Sequence, residues 1–230
     1  MAGRARRTRA FEEVLLQVER RIAEDGLRVG DRLPGERQLA EQLQVSRASV
    51  REALRVLETL GVVSSQAGRG PDAGAILTSR PDSALTDLLR LSLGLSSLSL
   101  REVIDTRLMI ERWSAEHAAA SPAVAAEPDA MAEAIRAMEA AATAEEFVEH
   151  DIAFHVAIAE ASGNRLVAAV MRALRGAMRR YAIEAVEGLG DTGALQGDHR
   201  RIHAAITSGD AAAAVEAVTA HLAHAYPELF

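Results

Sequence analysis

The stretch from Asp31 to Val63, DRLPGERQLAEQLQVSRASVREALRVLETLGVV, constrains this chain more than any other, because it sets two short amphipathic helices end to end with almost no loop between them. Pro34 and Gly35 introduce the first, and Leu39, Ala40 and Leu43 lie along one side of it. Gln44-Val45 is too brief for anything but a tight corner. Ser46 then caps the second helix, its hydroxyl accepting from an N–H of the first turn. Val50, Leu54 and Leu57 repeat at helical spacing there and face a core. Arg47, Arg51 and Arg55 recur every fourth residue beside that face. Two short helices at a sharp angle, with arginines opening the second, describe a helix-turn-helix.

An α-helix fits the major groove of DNA, and its N-terminal residues reach base edges there. Arginine offers a planar fork that matches O6 and N7 of guanine. The same spacing also describes an amphipathic helix with a solvated arginine face. Beyond spacing, LPGERQLAEQLQVSRASVREALRVLETLGVV closely resembles the winged-helix DNA-binding domain of the GntR family, and LP-x-ER ahead of LA is similar to its FadR-type branch. The likeness covers roughly residues 11–79 and centres on SR-x-SVREAL. It implies that Arg37, Arg47, Ser49 and Arg51 fall where the family contacts phosphates and bases.

After Gly61 the period changes. Val62–Ser65 and Ala75–Thr78 read as two short strands around a glycine-rich AGRGPDAG, a β-hairpin wing. Arg69, flanked by Gly68 and Gly70, can approach the DNA backbone or minor groove closely; a mere turn is the other reading. The family's usual wing reads closer to G-x-G-T-F/Y-V, and GRGPDAGAIL departs from it by Pro-Asp-Ala.

Charge divides the chain along the same line. Residues 1–80 hold 14 Arg against 11 acidic residues, a balance of +3, and the remainder holds 12 against 22, a balance of −10. A basic front and an acidic back fit a DNA-reading head on a body that does not touch DNA. Cysteine is absent, which excludes disulfides, zinc fingers of the cysteine type and thiol chemistry. No apolar run approaches the ~20 residues of a membrane span, and no apolar segment follows the basic N-terminus as in a signal peptide. The expectation is a cytoplasmic protein.

Residues 1–9 read as a disordered basic arm, either an idle tail or a weak phosphate contact. Val14, Leu15, Val18 and Ile22 give a first helix, and residues 10–79 make up the DNA-binding domain. Residues 80–84 read as a linker. Residues 85–230 then hold seven helical patterns and no strand pattern, an all-α bundle for effector binding and dimerisation. SGN at 162–164 and SGD at 208–210 each read as a helix stop followed by a cap. The glycine-rich GLGDTGALQGD at 188–198 lacks a preceding strand and a following Gly-Lys-Ser/Thr, so it reads as an interhelical loop rather than a phosphate cradle.

Within the bundle, Asp151 and His155 are four residues apart, on one side of one helix, with Val148, Ile152 and Ala159. His199 and His203 repeat that spacing on the next-to-last helix, and His221 lies on the last. A carboxylate or imidazole in an apolar stripe is costly unless paired or metal-bound. Facing helices are how bundles assemble metal sites, although a lone histidine on such a stripe is more often a hydrogen-bonded core residue. His117, His150 and His224 read as core or surface residues, and His203 as an outer support or substitute ligand.

DIAFHVAIAEASGNRLV and HRRIHAAITSGDAAAAVEAVTAHL resemble the FCD ligand-binding domain of FadR-type GntR regulators, over roughly residues 83–225. That resemblance places the family's metal ligands on Asp151, His155, His199 and His221, and implies the metal-binding form of the domain. Arg107 and Glu111 match the R-x-x-x-E of the long helix. Arg107 is then an effector-binding residue meeting a carboxylate, or else part of a surface ion pair worth little. Three imidazoles and a carboxylate suit Zn, and also Ni, Co or Mn.

The combined expectation is a homodimeric transcription regulator, a repressor, that reads a near-palindromic double-stranded DNA operator and answers to a small organic-acid effector at a metal site. The rival is a metal-dependent hydrolase or lyase carrying a DNA-binding head.

Overall fold

A computed structural model describes residues 2–65, 75–78, 81–121 and 129–229 of the chain. The chain divides into two compact units, Met1–Ala84 and Leu85–Phe230.

The first unit is built from α1 (Ala2–Glu24), α2 (Glu36–Leu43), α3 (Arg47–Thr59), β1 (Val63–Ser65) and β2 (Ala75–Leu77). Helix α1 runs back to Ala2, through the residues that composition suggests as a disordered arm. Alanine and arginine are both good helix formers, so the basic stretch continues the helix behind it. Val14 and Val18 of α1 pack with Leu39, Val50, Ala53 and Leu57 into one core, which Val63, Ala75 and Leu77 of the strands complete. The corner between α2 and α3 is made by Gln44 at φ 54°. Ser46 caps α3 as its position predicts, its hydroxyl accepting from the Ser49 N–H at 3.0 Å.

β1 and β2 pair antiparallel with Val63 opposite Leu77. The segment 30–33 adds a third strip beside them: Leu33 N–H donates to the Ala75 carbonyl and Leu77 N–H to the Asp31 carbonyl, both at 2.8 Å.

Helix α4 (Pro81–Gly94) starts just before the division, and the second unit holds its remainder with α5 (Leu100–Ala119), α6 (Ala130–Ala140), α7 (Ala144–Ala161), α8 (Arg165–Leu189), α9 (Gly193–Thr207) and α10 (Ala211–Ala225), with a closing 3-10 turn at Pro227–Leu229. Most of the expected linker at 80–84 is therefore the first turn of α4. The helix boundaries are set by local chemistry. Ser99 and Glu102 form a reciprocal capping box at the start of α5. Gly163 at φ 79° ends α7, and Asn164 caps α8 through Leu166 and Val167 N–H. Asp210 caps α10 through Ala213 N–H.

The glycine-rich stretch is mostly helix rather than loop. α8 ends at the left-handed Gly190, and α9 already begins at Gly193. Glycine costs about 1 kcal/mol in a helix interior relative to alanine, and tertiary packing of Leu195, 4 % exposed, outweighs it.

Helix α7 packs between α6 and α8, while α10 packs on α5 and α9, and α5 also meets α7 and α9. Ile104, Val148, Phe154, Met178, Ile202, Val218 and Leu222 fill the centre. No described helix is long and apolar enough to cross a membrane.

Candidate functional site

The bundle core carries charge where α5, α7, α9 and α10 meet. Asp151 and His155 project from α7, His199 from α9 and His221 from α10, and each is buried. One ligand atom from each lies within 4.8 Å of all the others. His155 Nε2 is 3.2 Å from His221 Nε2, and Asp151 Oδ1 is 3.4 Å from His155 Nε2 and 3.0 Å from His199 Nε2. Separations of about 3 to 3.4 Å suit donors about 2.1 Å from a shared ion, and since the set extends to 4.8 Å, beyond the about 4.2 Å that two such donors can span, an ion would draw the widest pair inward.

The donor set fits a divalent cation in its protonation as well. Burial first, then the neighbouring positive groups, hold the His199 and His221 pKa values well below the usual imidazole value, and burial lowers that of His155 against the pull of Glu111. Neutral imidazoles are the form that ligates. His199 makes no well-formed hydrogen bond through either ring nitrogen. Buried polar atoms left without partners are expensive unless something occupies the space between them.

Around this cluster stands a ring of charged supports. Glu111 Oε2 lies 2.8 Å from His155 Nδ1, and Asp198 Oδ2 lies 3.7 Å from His221 Nδ1. Carboxylates on that side favour the tautomer whose Nε2 lone pair points inward. Arg107 pairs with Glu111, and its Nη2 is 3.2 Å from His155 Nε2. Arg175 pairs with Asp151.

Both arginines and Glu111 are about 2 % exposed or less, so the Arg107–Glu111 pair is no surface ion pair. Burial pushes the Glu111 carboxyl up, but Arg107, His155 and Arg175 outweigh it and hold it well below the usual range. Burial, with Arg107 nearby, brings the Arg175 guanidinium down to about 9. Beside the cluster, Arg107, Arg175, His221 and Tyr226 line a cavity of about 20 Å³, room for about one water. Tyr226 covers the Arg107 guanidinium at 5.9 Å from its ring centroid.

His203 bonds Asp129, the N-cap of α6, at 2.7 Å, away from the four clustered side chains. His224 bonds Asp198 at 2.8 Å, and His117 stacks on Trp113 near the surface. Sequence reasoning missed Arg175, Asp198 and Tyr226. Arg175 carries a visible signal, a charge set between Met171 and Met178 on an apolar stripe. Asp198 offers only its place before His199, and Tyr226 has no periodic signal because it follows the last helix.

In the first unit, Arg47 is the first residue of α3 and is exposed. Ser49 lies within hydrogen-bond distance of the capping Ser46 hydroxyl, at 2.8 Å. Arg37 is exposed and approaches Glu41 only at 3.9 Å. Arg51 is held by Glu36 of α2. Arg69 and Gly70 lie outside the described residues.

A family model for "Bacterial regulatory proteins, gntR family" matches residues 11–71, and one for the FCD domain matches residues 102–224. The Uxu operon transcriptional regulator of Escherichia coli (strain K12) is 30 % identical over 226 residues, covering 93 % of this chain and 84 % of its own. The chain belongs to the GntR family. The Glc operon transcriptional activator of Escherichia coli (strain K12) is 30 % identical over 184 residues, or 77 % of this chain and 70 % of its own. The solved structure of Streptococcus agalactiae GntR shares the fold, with 23 % identity, a TM-score of 0.61, and coverage of 93 % of this chain and 98 % of that one.

This GntR-family chain is thus a transcription regulator with a DNA-binding helix-turn-helix and an FCD domain, and the whole Asp/His cluster lies within the FCD domain. The matched families and relatives are regulators and lend no support to a hydrolase or lyase.

Proposed function

We propose that this regulator is a repressor whose operator affinity is set by a small carboxylate bound beside a divalent metal ion. Asp151, His155, His199 and His221 hold the ion, Zn²⁺ first, with Ni²⁺, Co²⁺ or Mn²⁺ as alternatives. The observation that carries this reading is the convergence of those four buried side chains within 4.8 Å. When bound, the ion supplies Lewis-acid attraction for the oxygens of an organic acid. Arg107 and Arg175 line the adjoining cavity and offer cationic forks to a carboxylate. The cavity admits about one water as it stands, so an effector must displace its walls. Movement of that kind couples binding to conformation, because a ligand shifts an equilibrium only by its differential affinity for the two states.

On the DNA side, Arg37, Arg47, Ser49 and Arg51 make the phosphate and base contacts, and Arg69 and Gly70 belong to the wing contact. A homodimer places two such heads on a near-palindromic operator. The Glc operon relative is an activator by name, so activation is the alternative sign of control.

The test is a thermal-shift screen of small carboxylates against metal-loaded protein, followed by operator titration with each hit. At a hundred times its Kd, an effector should stabilise by about 2.7 kcal/mol and weaken operator binding. Uniformly unshifted melting and unchanged DNA affinity across mono-, di- and hydroxy-acids would contradict the effector reading.

A further inference from the structure

Glu36 opens α2, and its carboxylate grips the Nε–Nη2 edge of Arg51 on α3. Three contacts of 2.8 to 3.1 Å make this a fork-on-fork pair across two helices. The neighbouring arginines are held differently. Arg37 and Arg55 approach carboxylates of their own helices only at 3.9 and 3.8 Å.

Stability does not account for the Glu36–Arg51 pair. Its side chains are 33 % and 51 % exposed, and ion pairs open to water contribute little. A carboxylate is also a liability on a face that meets phosphates, since it repels them. Glu36 nevertheless sits among three arginines: the hydrogen bond from Arg51 first, with the charges of Arg47 and Arg55, holds its carboxyl below the usual range. What the pair supplies is orientation. Glu36 occupies one edge of the guanidinium, and the other end, Nη1 with the outer hydrogen of Nη2, lies outside the pair. Those remaining donors still suffice for O6 and N7 of one guanine.

We propose that Glu36 is a positioning residue for DNA reading, clamping Arg51 so that its outer end meets one base and exchanging non-specific affinity for discrimination. This rests on the reading above that Arg51 contacts bases. An unclamped arginine of the same reach would swing to the nearest phosphate and bind every sequence alike.

The experiment uses the full-length protein as Glu36→Gln, Arg51→Ala and the double variant. Each is titrated with a duplex selected by wild type from a random pool, and with a scrambled duplex, over a range of salt. Glu36→Gln should bind the scrambled duplex more tightly and with steeper salt dependence. Its selected-to-scrambled affinity ratio should fall by at least about tenfold. The lost preference should sit at the same base pair that Arg51→Ala erases, and in the Arg51→Ala background Glu36→Gln should leave the ratio unchanged. Three results overturn the proposal, and they are distinguishable. A wild-type ratio in Glu36→Gln alongside a collapsed ratio in Arg51→Ala removes the clamp but keeps the base reader. A wild-type ratio in Arg51→Ala removes the base reader itself. An equal fall with and without Arg51 makes Glu36 an independent contact.

Discussion

Arg47→Ala should reduce operator affinity by about 30-fold or more, while the melting temperature stays that of wild type. Arg47 is the first residue of α3 and is exposed. Its removal therefore leaves the core of Val14, Val50 and Leu57 untouched, and surface substitutions of this kind usually stay within about 0.5 kcal/mol. In the proposed dimer its loss on DNA would be counted twice, because each copy would present the same side chain to its own half-site. A bidentate base contact is worth about 1–3 kcal/mol of discrimination, so two of them amount to roughly 2–6 kcal/mol. Fluorescence anisotropy on operator and scrambled duplexes makes the measurement. The expected result is an operator affinity that collapses toward the scrambled value; an unchanged operator affinity would remove Arg47 from the reading surface.

The second large effect is on stability. Arg107→Met should cost about 3–5 kcal/mol, because it leaves the Glu111 carboxylate buried without its main counter-charge. Glu111 is 2 % exposed and Arg107 1 %, so water cannot take over the lost interaction. The double variant Arg107→Met/Glu111→Leu should recover most of that loss, since apolar replacement of a whole buried pair is often neutral or stabilising. Recovery of fold is not recovery of function here. Glu111 also faces His155 Nδ1 at 2.8 Å, and removing such a support typically weakens a metal site by about 10–100-fold. Chemical denaturation and metal titration of the three proteins separate the two roles. A single variant as stable as wild type would show that the pair is relaxed by water or by movement of α5.

Much of this architecture is legible from the residues, and the failures have physical causes. The α2–α3 pair is readable because its turn is short, its cap is a serine and its apolar period is unbroken through Val50 and Leu57. The stops at Gly163 and Gly209 are readable because left-handed backbone there favours glycine. The glycine-rich 188–198 misleads because local propensity argues for a loop, while burial of Leu195 and of the turn that carries His199 keeps α9 helical from Gly193. In the bundle site, spacing brings Asp151 and His155 to one face, but nothing local reveals that His199 and His221 arrive from other helices to meet them. That convergence depends on how α9 and α10 pack, and the likeness to FCD domains suggested it where periodicity could not. Arg175 has a local signal in its place between Met171 and Met178, whereas the burial of Asp198 depends on packing that its own helix does not reveal.

The most direct test is the metal content of purified wild-type protein and of His199→Ala and His221→Ala, by elemental analysis after exhaustive dialysis. About one divalent ion per chain in wild type is expected, with sharply reduced occupancy in both variants and a melting temperature that falls when the ion is stripped. Wild-type protein that carries no ion, and that neither takes up nor is stabilised by Zn²⁺, Ni²⁺, Co²⁺ or Mn²⁺, would contradict the account at its centre.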